Sequence, residues 1–410
     1  MSSEVLVIGG GAAGMFAAVT AAREGAQVTL LERGNRLGRK LSITGKGRCN
    51  VCNDVSPREV IQNIPRNGKF LTSALYAFPP ESVKAFFEEQ GVALKTERGN
   101  RVFPASDRAG DIVGALKTAL HREGVQVLTG RASKLLVENG TVQGVLLEDG
   151  NRIFCSKVIL ATGGLSYPLT GSTGDGYAMA ASAGHTVTPC EGSLVPLEEK
   201  GSWCRKMQGL SLRNVGLRLY GDGKLVYKDF GELLFTHFGL SGPTILSASA
   251  HMREKASYRV EIDLKPALDE AKLDARVLRD FSSQQNRILR HAVSGLYPSA
   301  MIPVILEKCG LDPEKRIHDL TRNERLALEK ETKAFSIDIL GKRPVDEAII
   351  TTGGVEPREI DPKTMESRLC RGLYFAGEII DADAYTGGFN LQIAWSTAYL
   401  AGQAAAKGES

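Results

Sequence analysis

The stretch VLVIGGGAAGMFAAVTAAREGAQVTLLER (5–33) decides the fold. Val5 to Ile8 are four consecutive apolar residues, the pattern of a strand buried on both faces of a parallel sheet. Ala12 to Glu24 is alanine-rich and free of proline, which predicts a helix that Gly25 ends. Gln27 to Leu31 reads as a second strand, so the stretch is a βαβ unit with a right-handed crossover. Between strand and helix stands G-x-G-x-x-G at Gly9, Gly11 and Gly14, and an acid, Glu32, closes the second strand. In that setting the first glycine permits a tight turn, the second lets a pyrophosphate approach the backbone, and the third lets helix and sheet pack closely. The helix N-terminus offers unpaired N–H groups to phosphate oxygens. Glu32 is placed to accept hydrogen bonds from an adenosine ribose, and its charge disfavours a 2′-phosphate. Without that context the glycines would be an ordinary turn; with it they predict a dinucleotide site.

Outward from this unit, residues 33–56 show no periodicity and are rich in Gly, Arg and Lys, which reads as a long functional loop. Helical patterns return at 81–90 and 111–123, and 125–161 reads as four short strands with a hairpin turn at Asn139-Gly140. From about 190 to 262 short β-like runs alternate with glycine turns, 265–335 is helical and more charged, and strand, glycine turn and helix resume after 345. The expected architecture is α/β: a Rossmann-like domain split in sequence (1–190 and 345–410), with an inserted β region (191–264 plus 336–344) and a helical piece (265–335) between its halves. Composition agrees with a large packed core, at 42% hydrophobic and 24% charged over 410 residues. Glycine is abundant, 45 residues, which fits many tight turns and backbone–ligand approaches. With 51 basic and 47 acidic residues the chain is nearly neutral, so no global polyanion-binding charge is indicated. No apolar run long enough to span a membrane exists, the N-terminus lacks the basic region of a secretory signal, and seven irregularly spaced cysteines fit reduced thiols in a cytoplasm.

The rest of the chain favours FAD over NAD as the resident dinucleotide. One fingerprint is present, not two. VILATGG (158–164) is a strand running into a Gly-rich turn, as where a second segment meets the same nucleotide, and GLYFAGE (372–378) is another strand ending in Gly-acid, with Glu378 placed to hold ribityl hydroxyls. TGGFNLQIAWSTAYLAG (386–402) is a glycine turn and a terminal helix whose N-terminus would face the flavin N1–C2=O edge.

These segments, with GRKLSITGKGRCN (38–50), RVFPAS (101–106), ATGGLSYPLTGSTGDGY (161–177), GLSLRNV (209–215), GELLFTHFGLSGP (231–243), ITTGGV (350–355) and GLYFAGEIIDADAYTGGFNLQIAWSTAYLAG (372–402), resemble in order the HI0933-like flavoproteins, also known as aminoacetone-oxidase-like or BaiN-type enzymes. The resemblance implies a two-part FAD domain with an inserted barrel-like domain and a helical subdomain. It places Gly9, Gly11, Ala13, Gly14, Glu32, Arg33, Arg39, Lys40, Asn50, Thr162, Gly163, Gly164, Gly377, Glu378, Asn390 and Leu391 around FAD. One position departs from the family pattern: Cys52 stands where a Thr is common. Cys49 and Cys52 thereby form C-x-x-C, which reads as a coincidence rather than a redox dithiol because the flanking motif is the family's own. No second ligand pair supports zinc, and the expected metal content is none. Cys155, Cys190, Cys204, Cys309 and Cys370 read as structural or surface thiols.

The resemblance also implies activities: reduction of steroid-type enones and formation of dihydrouridine in large-subunit ribosomal RNA. Both are conjugate reductions, with hydride to the β-carbon and a proton to the α-carbon of a C=C–C=O unit. The candidate acids are Cys49, in the loop expected at FAD, and His237, in LFTHFG; the plainer readings are a packed thiol and a histidine satisfied by backbone. Tyr385 and Ser166 are weaker candidates to bind a carbonyl. A basic cluster at 33–53 (Arg33, Arg36, Arg39, Lys40, Lys46, Arg48) contains no acid. A second at 200–228 (Lys200, Arg205, Lys206, Arg213, Arg218, Lys224, Lys228) contains only Asp222, and is either an RNA-phosphate surface or a solvated face. No RRM or KH signature accompanies it. The expected reductant is NADH or NADPH, bound transiently and with ping-pong kinetics. The expected partner is ribosomal RNA or a pre-ribosomal particle, otherwise a small conjugated acceptor, with no membrane. The alternatives are a small-molecule flavin enzyme (enone reductase or amine oxidase) and a non-catalytic ribosome-associated flavoprotein.

Overall fold

The computed structural model describes residues 3–253 and 256–407. The chain forms two compact units, Met1–Ser193 with Val345–Ser410, and Leu194–Pro344. In the first, the parallel strands Ser3–Ile8 and Val28–Glu32 flank the helix Ala12–Arg23 in sequence, as the apolar runs and the alanine-rich segment require. The sheet continues on one side to Gln126–Thr129 and on the other to Arg152–Leu160. That last strand has two partners in succession. Its first half closes an antiparallel meander with Ala132–Glu138 and Thr141–Leu147, and its second half runs parallel to Ser3–Ile8 and Leu373–Phe375. Val158, Ile159 and Leu160 are fully buried. The hairpin turn falls at Asn139-Gly140, both left-handed (φ 50° and 74°), as a two-residue turn demands.

The register Ile8↔Leu31, Ile8↔Leu160 and Leu160↔Phe375 brings the carboxyl ends of four parallel strands level. In open α/β sheets that edge is where ligands bind. Two helices cover the sheet face behind it: Ala12–Arg23 and the 18-residue Phe389–Ala406. Both have buried residues around most of their circumference, consistent with their uniformly apolar sequences.

The 33–56 segment is not the irregular loop that its sequence led one to expect. It contains the helical turns Arg39–Gly47, broken at Thr44–Lys46, and a short strand at Cys52–Asn53. The break at Thr44–Lys46 is what hides the helix from periodicity.

The second unit is a closed barrel of six strands in the order Leu197–Glu199, Gly239–Ser241, Lys224–Phe235, Ser211–Gly221, Tyr258–Asp263, Phe335–Lys342. Alternation builds its interior: Tyr258, Val260 and Ile262 face in from one strand, Phe335, Ile337 and Ile339 from its neighbour. The helices Glu270–Ser282 and Arg322–Lys333 add Leu273, Val277, Phe281 and Leu328 to the same core. Among the described residues no helix is long and apolar enough to cross a membrane.

Candidate cofactor site

A cleft of about 1370 Å³, part of it open to solvent, lies at the level strand ends of the first unit. The glycine turn forms its floor. Gly9 is left-handed (φ 107°), and a Cβ there would come 2.5 Å from the Ala161 carbonyl oxygen. A Cβ on Gly14 would sit 1.8 Å from the carbonyl oxygen of Gly9, so helix and turn meet only because Gly14 lacks a side chain. At Gly11 the same added atom would meet nothing within 4 Å, because that position faces the cleft. The helix begins there without a side-chain cap, leaving its first N–H groups to a ligand. Glu32 holds the turn by accepting from Gly10 N–H at 2.6 Å and Gly34 N–H at 2.7 Å.

Polar groups tie the walls. The Lys40 ammonium donates to Ser166 Oγ and to Glu378, each at 2.6 Å. The other Glu378 oxygen accepts from Ser166 Oγ at 3.0 Å and Thr351 N–H at 2.9 Å. At the Glu32 end, Asp175 joins two arginines: Arg131 grips it with two nitrogens at 2.8 and 2.9 Å, and Arg33 reaches it at 2.9 Å. The Arg131 hydrogen bonds hold the Asp175 carboxyl below its ordinary range. Asn390, at the start of the C-terminal helix, spends its amide on both backbone groups of Ala384, at 2.8 Å each, and so fixes the 384–390 turn.

Of the residues expected around the cofactor, Gly9, Gly11, Ala13, Glu32, Arg33, Arg39, Lys40, Thr162, Gly163, Glu378, Asn390 and Leu391 line this cleft. Gly14, Asn50, Gly164 and Gly377 are not in the lining; the three glycines allow close packing behind it, and a Cβ on Gly377, for example, would be 2.7 Å from that of Ala13. Arg36, Thr44, Arg131 and Asp175 line it without having been assigned from sequence. Asp175 lay within a quoted motif, whereas Arg131 carried no local signal. Ser166 does not serve as a carbonyl binder: its hydroxyl is buried between Lys40 and Glu378. Cys49 also departs from the expectation of an acid open to the cofactor. It is fully buried, is absent from the lining, and burial pushes its thiol up to about 12. Cys52 is likewise buried and raised to about 12, so neither thiol of the C-x-x-C has thiolate character at neutral pH. His237, in the second unit, is exposed and stands edge-on to Phe238. Among the described residues no group of His, Cys, Asp or Glu could hold a metal ion.

The HI0933-like protein Rossmann domain matches residues 3–404. The chain belongs to this family. Curated relatives of this HI0933-like protein align along nearly their full length. A 3-dehydro-bile acid delta(4,6)-reductase of Clostridium scindens is 32% identical, with 98% of each chain covered. The ribosomal RNA dihydrouridine synthases of Haemophilus influenzae and Escherichia coli are 32% and 30% identical, with at least 97% of each chain covered. The fold is shared with a 3-ketosteroid delta1-dehydrogenase from Sterolibacterium denitrificans (TM-score 0.52, 13% identity, 99% of both chains). It is also shared with a 3-ketosteroid-delta4-(5alpha)-dehydrogenase from Rhodococcus jostii (TM-score 0.50, 16% identity, 99% of this chain and 97% of that one). This HI0933-like protein is an FAD-dependent oxidoreductase.

The residues present fit FAD. The cleft is long enough to run from Glu32 to Asn390, and its floor is open at Gly11. Thr162 lines it with a buried hydroxyl that has no hydrogen-bond partner among the described residues. Such a buried polar atom is costly unless a ligand satisfies it.

Proposed function

We propose that this enzyme reduces a carbon–carbon double bond conjugated to a carbonyl, with NADH or NADPH as reductant, and that its acceptor is a uridine of large-subunit ribosomal RNA. The observation that carries the reading is the pair of full-length relatives. Their names describe different molecules, a 3-dehydro bile acid with delta(4,6) unsaturation and a uridine, but both acceptors present C=C beside C=O. Charge favours the RNA. Residues 194–344 carry 25 basic and 20 acidic side chains, against 26 and 27 in the rest, so the excess of positive charge belongs to the barrel unit. That substrate would place the enzyme in the cytoplasm.

Bound FAD supplies a two-electron hydride carrier at N5. The chain's own part is to hold and to polarise. Gly9 to Gly14 and the helix behind them would take the pyrophosphate, Glu32 the adenosine ribose, and Glu378 the ribityl hydroxyls, with Lys40 keeping that carboxylate in place. The uncapped start of the C-terminal helix would offer its partial positive charge to the N1–C2=O edge. The proton that a conjugate reduction requires at uracil C5 would come from His237, an exposed imidazole with no hydrogen bond among the described residues. The sequence carries one dinucleotide fingerprint, so reductant and acceptor visit in turn. The test is a deletion strain whose ribosomal RNA nucleosides are read by mass spectrometry. Loss of one dihydrouridine, restored by re-expression, is the expected result; an unchanged profile removes the RNA substrate. The second reading, a small enone acceptor, is favoured by the bile-acid relative and would then be tested with conjugated 3-oxo steroids.

A further inference from the structure

Between residues 44 and 49 the backbone is left-handed at four positions: Gly45 (φ 57°), Lys46 (φ 60°), Gly47 (φ 82°) and Cys49 (φ 60°). Two of these carry a Cβ, which makes that conformation a standing cost. For Cys49 the compensation is visible, since its side chain is fully buried in the core of the first unit. For Lys46 none is visible. Its side chain is exposed and has no ion-pair partner among the described residues. A glycine would serve the same backbone without strain.

The other cations of this segment are accounted for. Arg33 is held by Asp175, Lys40 by Glu378, and Arg48 by Glu97 and Asp107, while Arg36 and Arg39 line the cleft where cofactor phosphates would meet them. Lys46 is the one left over. It lies two residues beyond Thr44, which lines the cleft. Its turn packs on Asn50: a Cβ on Gly45 would be 3.0 Å from the Asn50 nitrogen. Asn50 Oδ1 is buried without a hydrogen-bond partner among the described residues, and it lies 2.9 Å from where a Cβ on Gly388 would stand, at the start of the C-terminal helix. The strained, exposed Lys46 and the unsatisfied Asn50 Oδ1 therefore belong to one turn, whose Thr44 lines the cleft and whose Asn50 meets the start of the C-terminal helix.

We infer that Lys46 is a ligand-binding residue whose ammonium holds a phosphate of the molecule docking at the flavin end of the cleft. The inference rests on the reading above for what docks there. Its two visitors, a pyridine dinucleotide and RNA, share phosphate chemistry, and the experiment separates them.

FAD-loaded wild type and the variants Lys46→Gly, Lys46→Met and Lys46→Arg are titrated with NADP⁺, followed by flavin absorbance, and with a labelled uridine-containing single-stranded 12-mer RNA, followed by anisotropy. Melting temperature and flavin content are recorded alongside. Both neutral variants should bind at least one ligand about fivefold more weakly, with the difference shrinking as salt rises, and Lys46→Arg should recover most of it. Lys46→Gly should keep its FAD and melt about 2 °C higher than wild type, because strain is removed. Weakening confined to NADP⁺ assigns the dinucleotide phosphate, weakening confined to RNA assigns the RNA phosphate, and weakening of both assigns a shared place. The inference is overturned if the neutral variants bind both ligands as wild type does, if wild type binds neither, or if Lys46→Gly loses FAD or melts lower. None of these outcomes depends on the nucleoside profile of the deletion strain, so the two readings fail separately.

Discussion

Two turns bring backbone to one cleft by opposite means. At 9–14 each point of close approach is a glycine, and the main chain itself is the binding surface. At 44–50 the chain makes an equally unusual turn but places Lys46 and Cys49 in left-handed conformations, so side chains are kept where glycines would be cheaper. The first turn serves a resident cofactor that must lie against the backbone. The second keeps one side chain in the core and sends the other outward, which fits a wall that meets transient ligands.

The sharpest way to break this contrast is at the glycines. Gly14→Ala forces a Cβ to within 1.8 Å of a carbonyl oxygen and should destabilise by roughly 4 kcal/mol or more, giving little soluble protein and no flavin. Gly11→Ala adds its methyl to open space and should fold with an unchanged melting temperature while its flavin-to-protein ratio falls. If the Gly11 variant retains FAD at wild-type affinity, the cofactor does not lie on that turn.

The second comparison sets Cys49 against His237. His237→Gln should leave flavin reduction by NAD(P)H intact and slow acceptor reduction about 100-fold, as loss of a general acid does. Cys49→Ala should retain both half-reactions within a few-fold, because its thiol is sealed in the core. Single-turnover rates on the two variants decide it, and the reverse ranking would restore the thiol as donor.

Smaller effects come from the wall. Lys40→Met leaves Glu378 its bonds to Ser166 and Thr351 but removes its cation, so FAD affinity should fall about tenfold, read by equilibrium dialysis. The smallest effect concerns pH. His185 is buried in the first unit, with Nε2 at 2.6 Å from Ser367 Oγ and Nδ1 at 3.2 Å from Glu359. Burial lowers its pKa, with Glu359 opposing. The unfolded chain therefore takes up the proton first: the contribution is complete above the ordinary histidine value near 6.5 and is lost as pH falls through the lowered folded value. His185→Gln should flatten the melting profile below the ordinary histidine value relative to wild type; an unchanged slope would assign the acid sensitivity to other groups.

These contrasts also explain what could be read from residues alone. The βαβ unit was legible because a continuous apolar run, an alanine-rich helix and the glycine spacing agree within 30 residues or so. The barrel was legible only as β-like runs, since closure depends on pairing Leu197–Glu199 with a strand near residue 340. The helical turns at 39–47 were hidden because Thr44, Gly45 and Lys46 break the period. The Arg33–Asp175–Arg131 cluster was out of reach, because its members are 44 and 142 residues apart and no local pattern marks them. Cys49 was visible as a residue but not as a buried one, since its left-handed backbone turns it away from a loop that otherwise reads as exposed.

The central claim, hydride transfer through FAD to a conjugated double bond, is tested most directly in two anaerobic half-reactions on the purified enzyme. NADH or NADPH should bleach the flavin absorbance, and unmodified large-subunit ribosomal RNA should restore it while one uridine per molecule becomes dihydrouridine. Restoration by a conjugated 3-oxo steroid alone would keep the chemistry and change the substrate. A flavin that stays oxidised with both reductants, or stays bleached with every conjugated acceptor, would contradict the account.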